Sequence, residues 1–521
     1  MSDTKALIAV DGLTVSRKTN ARPLLEDVSL VLAPGETVSL LGETGSGKEA
    51  LLHALAGSLE RGEDVSGSLQ IRDGIFEKIG KKPREGLRIA YLAGPYTKPL
   101  SPLASVVSQL SRVIARKLSV PVAAARAEFA LSLERLKGAP RIDTFEKMPG
   151  DLDPEILAWG LFAASFAQTP DLLIADDPLL GLGPSQSRAL SQILIAEQKR
   201  LNFALLYAAT GTEVVKRLGG RLIVLRHGRV VEEGPTARLA TDQAHAYTQT
   251  LFKAMPPLTA KPAQPRSTSR TEPVLQVYGL ELNAASERAK ENVTFELRRG
   301  ASLALIGGEG SGRHTLMRAV IGLDRIAAGR VILDAVDIGV LSSSMMARLR
   351  RRVAFISSAD DALDPRMTLW DTVAEPLRAH LNLPRDVIAD YRDAALKRVG
   401  LASLPGRRPI AMLSPFDRRR LQVARAVVGA PLLAVVDEPL RGLDAFAQSV
   451  MRDLLREFRE QEGPAFLVIT SDFTVAQALA EDAMVFHDKR IVERGAIADL
   501  LKAPKDLRTK RLIEAVSAGL S

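Results

Sequence analysis

Short apolar runs that end at a glycine or an aspartate mark the buried strands of this chain. The runs at 36–42 (ETVSLLG) and 301–307 (ASLALIG) each lead into a glycine-rich loop, and those at 172–176 (LLIAD) and 433–437 (LAVVD) each end at an aspartate. Continuous apolar runs of this length are typical of parallel strands that are buried on both faces. The pattern therefore predicts an α/β fold whose carboxylates lie at the carboxyl edge of a parallel sheet.

Apolar residues three or four positions apart predict an amphipathic helix at 103–118 (LASVVSQLSRVIARKL). Its apolar positions are Leu103, Val106, Val107, Leu110, Val113 and Ile114. The longest uncharged apolar run, 156–170, has 15 residues, whereas a membrane-spanning helix needs ~18 to 20. We therefore expect no membrane-spanning segment, and the first residues lack the apolar stretch of a signal peptide.

The landmarks of the first half of the chain recur in the second half. Residues 42–50 (GETGSGKEA) correspond to 307–315 (GGEGSGRHT), and 172–183 (LLIADDPLLGLG) correspond to 433–444 (LAVVDEPLRGLD). In each copy a strand, a glycine-rich loop and a helix follow one another. This self-similarity predicts a tandem duplication of one domain.

The duplication divides the 521 residues into two domains and a linker. We expect the first domain at 1–254, the linker at 255–273, where Pro, Ser and Thr are abundant and apolar periodicity is absent, and the second domain at 274–521. The chain contains no cysteine, which excludes disulfides and thiolate chemistry. Its net charge of +9 would suit anionic lipid, nucleic acid or an acidic protein, and it selects none of them.

Both glycine-rich loops have the composition of a phosphate-binding loop, GxxxxGK[ST], in which backbone N–H groups surround the phosphates and a lysine neutralises them. The candidate phosphate-binding residues are Gly42, Gly45, Ser46, Gly47 and Lys48 in the first loop and Gly307, Gly310, Ser311, Gly312 and Arg313 in the second. The next position, where a hydroxyl would bind Mg²⁺, is Glu49 in the first loop and His314 in the second. We expect the first loop to hold nucleotide, because Arg313 and His314 are bulkier than the side chains they replace.

Glu49 is the unusual residue of the first loop. A negative charge about 4 Å from a phosphate costs roughly 4 kcal/mol at an effective dielectric constant near 20. Three roles are compatible with the sequence: a favourable acidic residue in the first turn of a helix, a salt-bridge partner of Lys48, or a substitute ligand for the metal ion.

These motifs resemble those of the ABC transporter ATPases, and within them the tandem ATPase subunits of oligopeptide and nickel importers. The resemblance covers almost the whole chain and rests on the loops, on the two D[DE]P segments, and on 363–377 (LDPRMTLWDTVAEPL) and 245–252 (HAYTQTLF). It implies an α/β fold made of two tandem P-loop domains, each with a parallel sheet and a helical subdomain. It also implies that two such domains pair head to tail around the nucleotides.

The same resemblance assigns ligands and partners. It implies ATP and Mg²⁺ as cofactors, with Asp176 and Asp437 as magnesium ligands and with Asp177 and Glu438 as the residues that orient the attacking water. It implies two membrane permeases as direct partners, a secreted solute-binding protein as an indirect partner, and a position on the inner face of the cell membrane. No nucleic acid is expected among the partners.

Several positions depart from the family pattern. The glutamine that usually reaches the metal aligns with Ala93 and Ser357, and the histidine that usually contacts the γ-phosphate aligns with Thr210 and Ser471. Asp177 is one methylene shorter than the usual glutamate. Since a positioned general base typically contributes 10²- to 10⁴-fold to a rate, these changes predict weak or absent ATP hydrolysis.

The LSGGQ segments of the family are also changed, to LDPEI at 152–156 and LSPFD at 413–417. Both replacements are typical helix starts, with Asp153 or Ser414 as the N-cap and, in the second, Asp417 completing a capping box. In a working transporter the open helix end offers its N–H groups to a phosphate. We expect these side chains to satisfy the N–H groups instead.

Two other functions remain compatible with the sequence. A soluble tandem ABC protein that acts on the ribosome or on nucleic acid would explain the basic pI of 9.6, although the linker lacks the long charged helix expected for such a protein. A structural scaffold that binds no nucleotide would explain the altered motifs.

Overall fold

The computed structural model describes most of the chain in two compact units, one comprising nearly all described residues up to Lys253 and the other nearly all from Pro273 onward. The described residues are 6–17, 22–60, 62–72, 74–79, 86–94, 100–253, 273–281, 292–326, 328–359, 362–380 and 383–517. The linker predicted at 255–273 therefore lies outside them, apart from Pro273.

The strands of the first unit form a parallel sheet and a smaller antiparallel sheet. Their bounds are β1 (Ile8–Arg17), β2 (Leu25–Leu32), β3 (Thr37–Leu41), β4 (Glu63–Ile71), β5 (Glu77–Lys78), β6 (Ile89–Ala93), β7 (Leu172–Asp176), β8 (Ala204–Ala209), β9 (Arg221–Arg226) and β10 (Arg229–Pro235). The larger sheet has the order β10-β9-β3-β8-β7-β6, with β10 antiparallel to β9 and the other neighbours parallel. The smaller sheet has the order β2-β1-β4-β5 and is antiparallel.

Two helices of the first unit come after the glycine-rich loop and after the carboxylates at the end of β7, and the others connect or follow the remaining strands. Their bounds are α1 (Lys48–Ala56), α2 (Val106–Leu118), α3 (Val122–Arg135), α4 (Pro154–Ala167), α5 (Pro184–Leu201), α6 (Thr212–Leu218), α7 (Thr236–Leu239) and α8 (Ala246–Lys253). Short 3₁₀ helices lie at Ile142–Glu146 and Pro149–Asp151.

The second unit repeats this arrangement. Its strands are β11 (Pro273–Glu281), β12 (Asn292–Arg298), β13 (Ser302–Ile306), β14 (Arg330–Leu333), β15 (Val336–Asp337), β16 (Val353–Ser357), β17 (Leu433–Asp437), β18 (Ala465–Thr470), β19 (Asp482–His487) and β20 (Arg490–Ala496). Its helices are α9 (Arg313–Val320), α10 (Ser343–Arg350), α11 (Leu369–His380), α12 (Arg385–Arg398), α13 (Pro415–Val428), α14 (Ala445–Glu462), α15 (Phe473–Leu479), α16 (Ile497–Lys502) and α17 (Leu507–Ser517), with 3₁₀ helices at Ile338–Val340 and Ile410–Met412.

The two larger sheets have equivalent strand orders. The second is β16-β17-β18-β13-β19-β20, again parallel except for β20, and its companion is the antiparallel sheet β12-β11-β14-β15. Each strand of one sheet thus has a counterpart at the same place in the other. The predicted α/β fold and its duplication are confirmed.

The parallel strands are buried on both faces. On β7, Leu173 and Ala175 belong to one apolar cluster, whereas Leu172 and Ile174 belong to another cluster. All four side chains are inaccessible to solvent. This two-sided burial explains why the strands appear in the sequence as continuous apolar runs rather than as alternating patterns.

The helix predicted at 103–118 is shorter and has a narrower buried face than expected. It begins at Val106, with Ser105 at the N-cap position, so Leu103 lies before it and is 88% exposed. Val113 is inside the helix but 49% exposed, because the face that packs on the core is formed by the Val106, Val107, Leu110 and Ile114 side chains. Among the helices bounded above, none has the length and hydropathy needed to span a bilayer.

Candidate functional site

The first glycine-rich loop connects β3 to α1 at the carboxyl edge of the parallel sheet. Gly47 has a φ of 104° and precedes the helix directly; a Cβ there would lie 2.6 Å from the Leu24 carbonyl oxygen. Gly45 has a φ of 82° and open space where its Cβ would be. Because left-handed backbone favours glycine, these two positions shape an open loop whose N–H groups can approach an anion.

Lys48 is the first residue of α1 and is only 6% exposed. Its ammonium donates hydrogen bonds to the Gly42 carbonyl at 2.6 Å, the Glu43 carbonyl at 2.9 Å and the Ser46 hydroxyl at 3.2 Å. Burial lowers the pKa of Lys48, while neighbouring carboxylates oppose that shift. The positive charge is therefore held inside the loop by loop oxygens.

Glu49 occupies the first turn of α1 with an exposed side chain. Since the Lys48 ammonium bonds the loop oxygens, the geometry favours the first-turn interpretation of Glu49 over a salt bridge to that lysine. Asp176 at the end of β7 accepts a hydrogen bond from the Tyr91 hydroxyl at 3.2 Å. Burial, with a further contribution from the charge of Glu49, raises the pKa of the Asp176 carboxyl.

Asp177 follows β7 in a left-handed conformation, with a φ of 39°. Its carboxylate accepts hydrogen bonds from the Thr210 backbone N–H at 2.8 Å and from the Thr210 hydroxyl. Desolvation raises the pKa of Asp177 to about 6, although the two bonds from Thr210 act in the opposite direction. The residue that aligns with the expected phosphate-sensing histidine thus holds the candidate catalytic carboxylate, a contact that the sequence did not reveal.

The second loop has a similar backbone but different side-chain contacts. Gly312 has a φ of 101°, and a Cβ there would lie 2.7 Å from the Lys489 Cα. Arg313, the first residue of α9, is 1% exposed and donates to the Gly307 carbonyl and, at 3.0 Å, to the Glu438 carboxylate. Burial lowers the pKa of Arg313, while Glu438 and other carboxylates oppose the shift.

The two carboxylates after β17 are both engaged by protein groups. The His314 Nε2 lies 3.1 Å from an Asp437 carboxylate oxygen. Glu438 accepts hydrogen bonds from the Ser471 backbone N–H at 2.9 Å and from the Thr470 hydroxyl at 3.2 Å, besides the one from Arg313. At the second site, the two carboxylates expected to serve metal and water are therefore in contact with Arg313 and His314.

The positions of the missing glutamines lie beside the magnesium candidates. Ala93 is paired with Asp176 in the register of β6 and β7, and Ser357 is paired with Asp437 in the register of β16 and β17. The Ser357 backbone N–H donates to the side chain of Gln422 on α13 at 2.7 Å. Gln422 is a residue near the site that sequence reasoning missed, because nothing in the local pattern separates it from the rest of its helix.

The two altered signature segments begin helices as expected, but only one is capped as expected. The Ser414 hydroxyl accepts from the Asp417 backbone N–H at 3.1 Å, which confirms it as the cap of α13. Asp153 occupies the N-cap position of α4, where its side chain makes no capping hydrogen bond. The expectation that the Asp153 side chain accepts hydrogen bonds from the first N–H groups of α4 is wrong. Asp153 has the extended backbone of an N-cap residue, but its carboxylate makes no hydrogen bond to those groups.

Tyr247, in the segment 245–252, contacts the first loop. The backbone N–H of Glu43 donates to its hydroxyl at 2.9 Å, and the Arg226 guanidinium lies 4.7 Å from its ring centre. The structure thus connects α8 to the start of the phosphate-binding loop across 204 residues of sequence.

Comparison with known proteins gives relatives over nearly the full chain. The profile of the family described as "ABC transporter" matches residues 25–180 and 290–441, more than half of the chain. The chain is 28% identical over 529 residues to "Uncharacterized ABC transporter ATP-binding protein YejF" of Escherichia coli strain K12, covering 98% of this chain and 99% of that protein. It is 28% identical over 566 residues to "Glutathione import ATP-binding protein GsiA" of Pectobacterium atrosepticum, covering 99% of this chain and 90% of that protein.

A solved structure also resembles this chain in fold. A chain from the complex of archaeal ribosomal stalk protein aP1 and ribosome recycling factor aABCE1 aligns with a TM-score of 0.59 over 91% of this chain and 87% of that chain. Its sequence identity is 17%, so the likeness concerns the fold alone. The family profile matches once in each unit, over the glycine-rich loop and the aspartate-ended strand. The chain therefore belongs to the ABC transporter family and contains its ATP-binding domain twice.

Proposed function

We propose that the chain is the ATP-binding subunit of a peptide importer and that it couples nucleotide binding to movement of two membrane permeases, with weak or absent hydrolysis. The proposal is supported by the importer-like segments 245–252 and 363–377. It is also supported by the relative named for the import of glutathione, which is a tripeptide. In this proposal the chain docks on the inner face of the membrane, and a solute-binding protein delivers the peptide to the permeases.

The first loop fits a magnesium-bound nucleoside triphosphate. Lys48 supplies the buried positive charge, and no atom lies within 4 Å of the position that a Cβ would take at Gly45. Asp176 offers carboxylate oxygens, the ligand type that Mg²⁺ takes together with phosphate oxygens. Bound Mg²⁺ would supply neutralisation of the phosphate charge, and the chain's own residues would hold and orient the phosphates.

The observation that favours weak hydrolysis is that both candidate catalytic carboxylates are held by protein donors. Asp177 accepts two hydrogen bonds from Thr210, and Glu438 accepts from Arg313 and from the Ser471 N–H. A general base must lie within hydrogen-bond reach of the proton that it removes. Carboxylates with these partners have fewer free lone pairs to orient a water molecule.

Phosphate release by the full chain, reconstituted with its permeases, tests this proposal. We expect a rate well below the usual enzyme range of about 1 to 10³ s⁻¹, with ATP still bound. A rate within that range that disappears in Lys48→Ala would refute weak hydrolysis. Absence of ATP binding together with absence of permease association would refute the subunit assignment.

Replacement of Tyr247 by phenylalanine is expected to weaken ATP binding by the first loop about 2- to 10-fold. The change leaves the Glu43 N–H without its partner at the start of the loop, and a hydrogen bond of this kind contributes about 0.5–1.5 kcal/mol. Calorimetric titration with Mg-ATP measures the effect. Tyr278→Phe, which removes an exposed hydroxyl bonded to Glu296, is the matched control; equal affinities in both variants would contradict the prediction.

Replacement of Glu49 by serine is expected to tighten Mg-ATP binding about tenfold, since it removes an exposed negative charge near the phosphates and restores a hydroxyl for the metal. The measurement is the ratio of dissociation constants with and without Mg²⁺. Asp499→Ser, which removes an acidic residue from the first turn of α16, controls for the change in net charge. Unchanged Mg-ATP binding in Glu49→Ser would contradict this prediction, and weaker binding would identify Glu49 as a ligand of the metal.

A further inference from the structure

The second glycine-rich loop is joined to the segment at the end of β17 by three side-chain contacts. Arg313 donates to Glu438 at 3.0 Å, and the His314 ring lies 3.1 Å from Asp437. Arg441, four residues beyond Asp437, donates to Glu309 of the loop at 2.9 Å. Each carboxylate that the family would use for metal or water is thus already paired with a side chain of the loop's helix.

The first loop serves as an internal reference, because the hydrogen bonds of its Lys48 go to loop oxygens among the described residues. Lys48 donates to the Gly42 carbonyl and to the Ser46 hydroxyl. Arg313 keeps the bond to the corresponding carbonyl, that of Gly307, but then extends to Glu438. As a result the Ser311 hydroxyl, the counterpart of Ser46, is buried without a hydrogen-bond partner in the described part of the chain.

A magnesium-bound nucleotide in the second loop would have to break these contacts. A phosphate in the second loop would require Arg313, 1% exposed, to leave Glu438, which is itself only 6% exposed. A buried carboxylate that loses its cationic partner is strongly destabilising. A metal ion on Asp437 would in turn have to displace the His314 ring. The residues of the second loop therefore do not fit the ligand that the family implies.

We propose that the second loop is a closed nucleotide site, filled by the chain's own Arg313 and His314, which binds neither Mg²⁺ nor a nucleoside triphosphate and which two substitutions reopen. The inference rests on the proposed function, because it treats the second loop as a counterpart of the nucleotide-binding first loop. In this role Asp437 is the partner of His314 rather than a magnesium ligand, and Glu438 is the partner of Arg313 rather than a catalytic residue.

The backbone of the second loop remains suited to a phosphate. Gly310 and Gly312 have φ values of 71° and 101°, close to the 82° and 104° of Gly45 and Gly47. Arg313→Lys replaces the long guanidinium by a side chain that, as in the first loop, can donate to the loop carbonyl and to the unpartnered Ser311 hydroxyl. A serine in place of His314 supplies the hydroxyl that such loops use for Mg²⁺ and frees the aspartate.

The test uses the full chain with the first loop silenced by Lys48→Ala. Calorimetric titration with Mg-ATP is expected to show no binding in this background. Adding Arg313→Lys and His314→Ser is expected to raise the affinity for Mg-ATP at least about 100-fold. The stoichiometry is expected to be about one nucleotide per chain. Omission of Mg²⁺ is expected to weaken the new binding. Arg318→Lys, an exposed arginine of α9 that pairs with Asp324, is the matched control in the same background and is expected to leave binding absent.

The outcomes separate this inference from the proposed function. If the unchanged chain binds no ATP while the reopened variant does, the nucleotide-binding part of the proposed function fails and the closed site stands. The closed site would be overturned if a folded reopened variant gained no ATP binding. It would also be overturned if the Lys48→Ala variant bound Mg-ATP and lost that binding when Arg313→Ala was added. If the variant with all three substitutions does not fold, the variant with Lys48→Ala and Arg313→Lys alone replaces it. Its affinity for ATP is expected to be at least about tenfold higher than that of Lys48→Ala. A folded double variant without that gain counts equally against the inference.

Discussion

Replacement of Lys48 by alanine is expected to abolish ATP binding by the chain, with a rise of about 100-fold or more in the dissociation constant. The change removes a buried ammonium that holds positive charge among the loop oxygens, and hydrogen bonds to charged groups contribute about 1.5–3 kcal/mol each. Titration calorimetry with Mg-ATP measures the loss. Circular dichroism of the same sample establishes that the variant is folded.

Two controls make the Lys48 result specific. Lys216→Ala removes a partly buried lysine of the first unit that pairs with Glu213 and is expected to leave ATP binding unchanged. Arg313→Ala is expected to change ATP binding little, because nucleotide is assigned to the first loop. The reverse pattern, in which Arg313→Ala abolishes binding and Lys48→Ala preserves it, would contradict that assignment.

Replacement of Arg313 by alanine is expected to destabilise the second unit by about 3–5 kcal/mol. It leaves Glu438 buried without its cationic partner, and breaking a buried pair from one side typically costs this much. The chain has two tryptophans, Trp159 on α4 and Trp370 on α11. In a Trp159→Phe background, urea unfolding followed by fluorescence therefore reports the second unit alone.

The cause of that loss can be separated from a general effect of removing an arginine. Arg318→Ala removes an exposed arginine of the same helix that pairs with Asp324, and such surface pairs contribute about 0–1 kcal/mol. The double variant Arg313→Met with Glu438→Gln removes both charges and is expected to recover most of the stability. An equal loss in Arg318→Ala, or no recovery in the double variant, would contradict the role given to the buried pair.

Sequence reasoning predicted the features that depend on local pattern. The strands at Leu172–Asp176 and Leu433–Asp437 were predictable because they are buried on both faces, and that burial requires continuous apolar residues. The cap at Ser414 was predictable because the hydroxyl and the N–H that it accepts from are three residues apart. Asp153 shows the limit of such patterns, since the residue type suits a cap but the side-chain rotamer does not provide one.

The contacts that determine the chemistry of the two loops depend on residues far apart in the chain. Arg313 and Glu438 are separated by 125 positions, and Thr210 and Asp177 by 33. The sequence indicated that Arg313, Thr210 and Asp177 depart from the family pattern. Which residue each of them contacts depends on how the strands bring distant segments to one edge of the sheet. The motifs therefore identified the altered positions but not the residues that they contact.

Under the proposed function, the Arg313–Glu438 pair would make the stability of the two units respond differently to the nucleotide concentration. A ligand at 100 times its dissociation constant stabilises the folded state that binds it by about 2.7 kcal/mol. In the first unit this linkage would follow the ATP concentration, whereas the second unit carries its neutralising charge within its own sequence. When ATP is depleted, we expect proteolysis to begin in the first unit. The lifetime of the whole chain would then depend on the cellular ATP concentration.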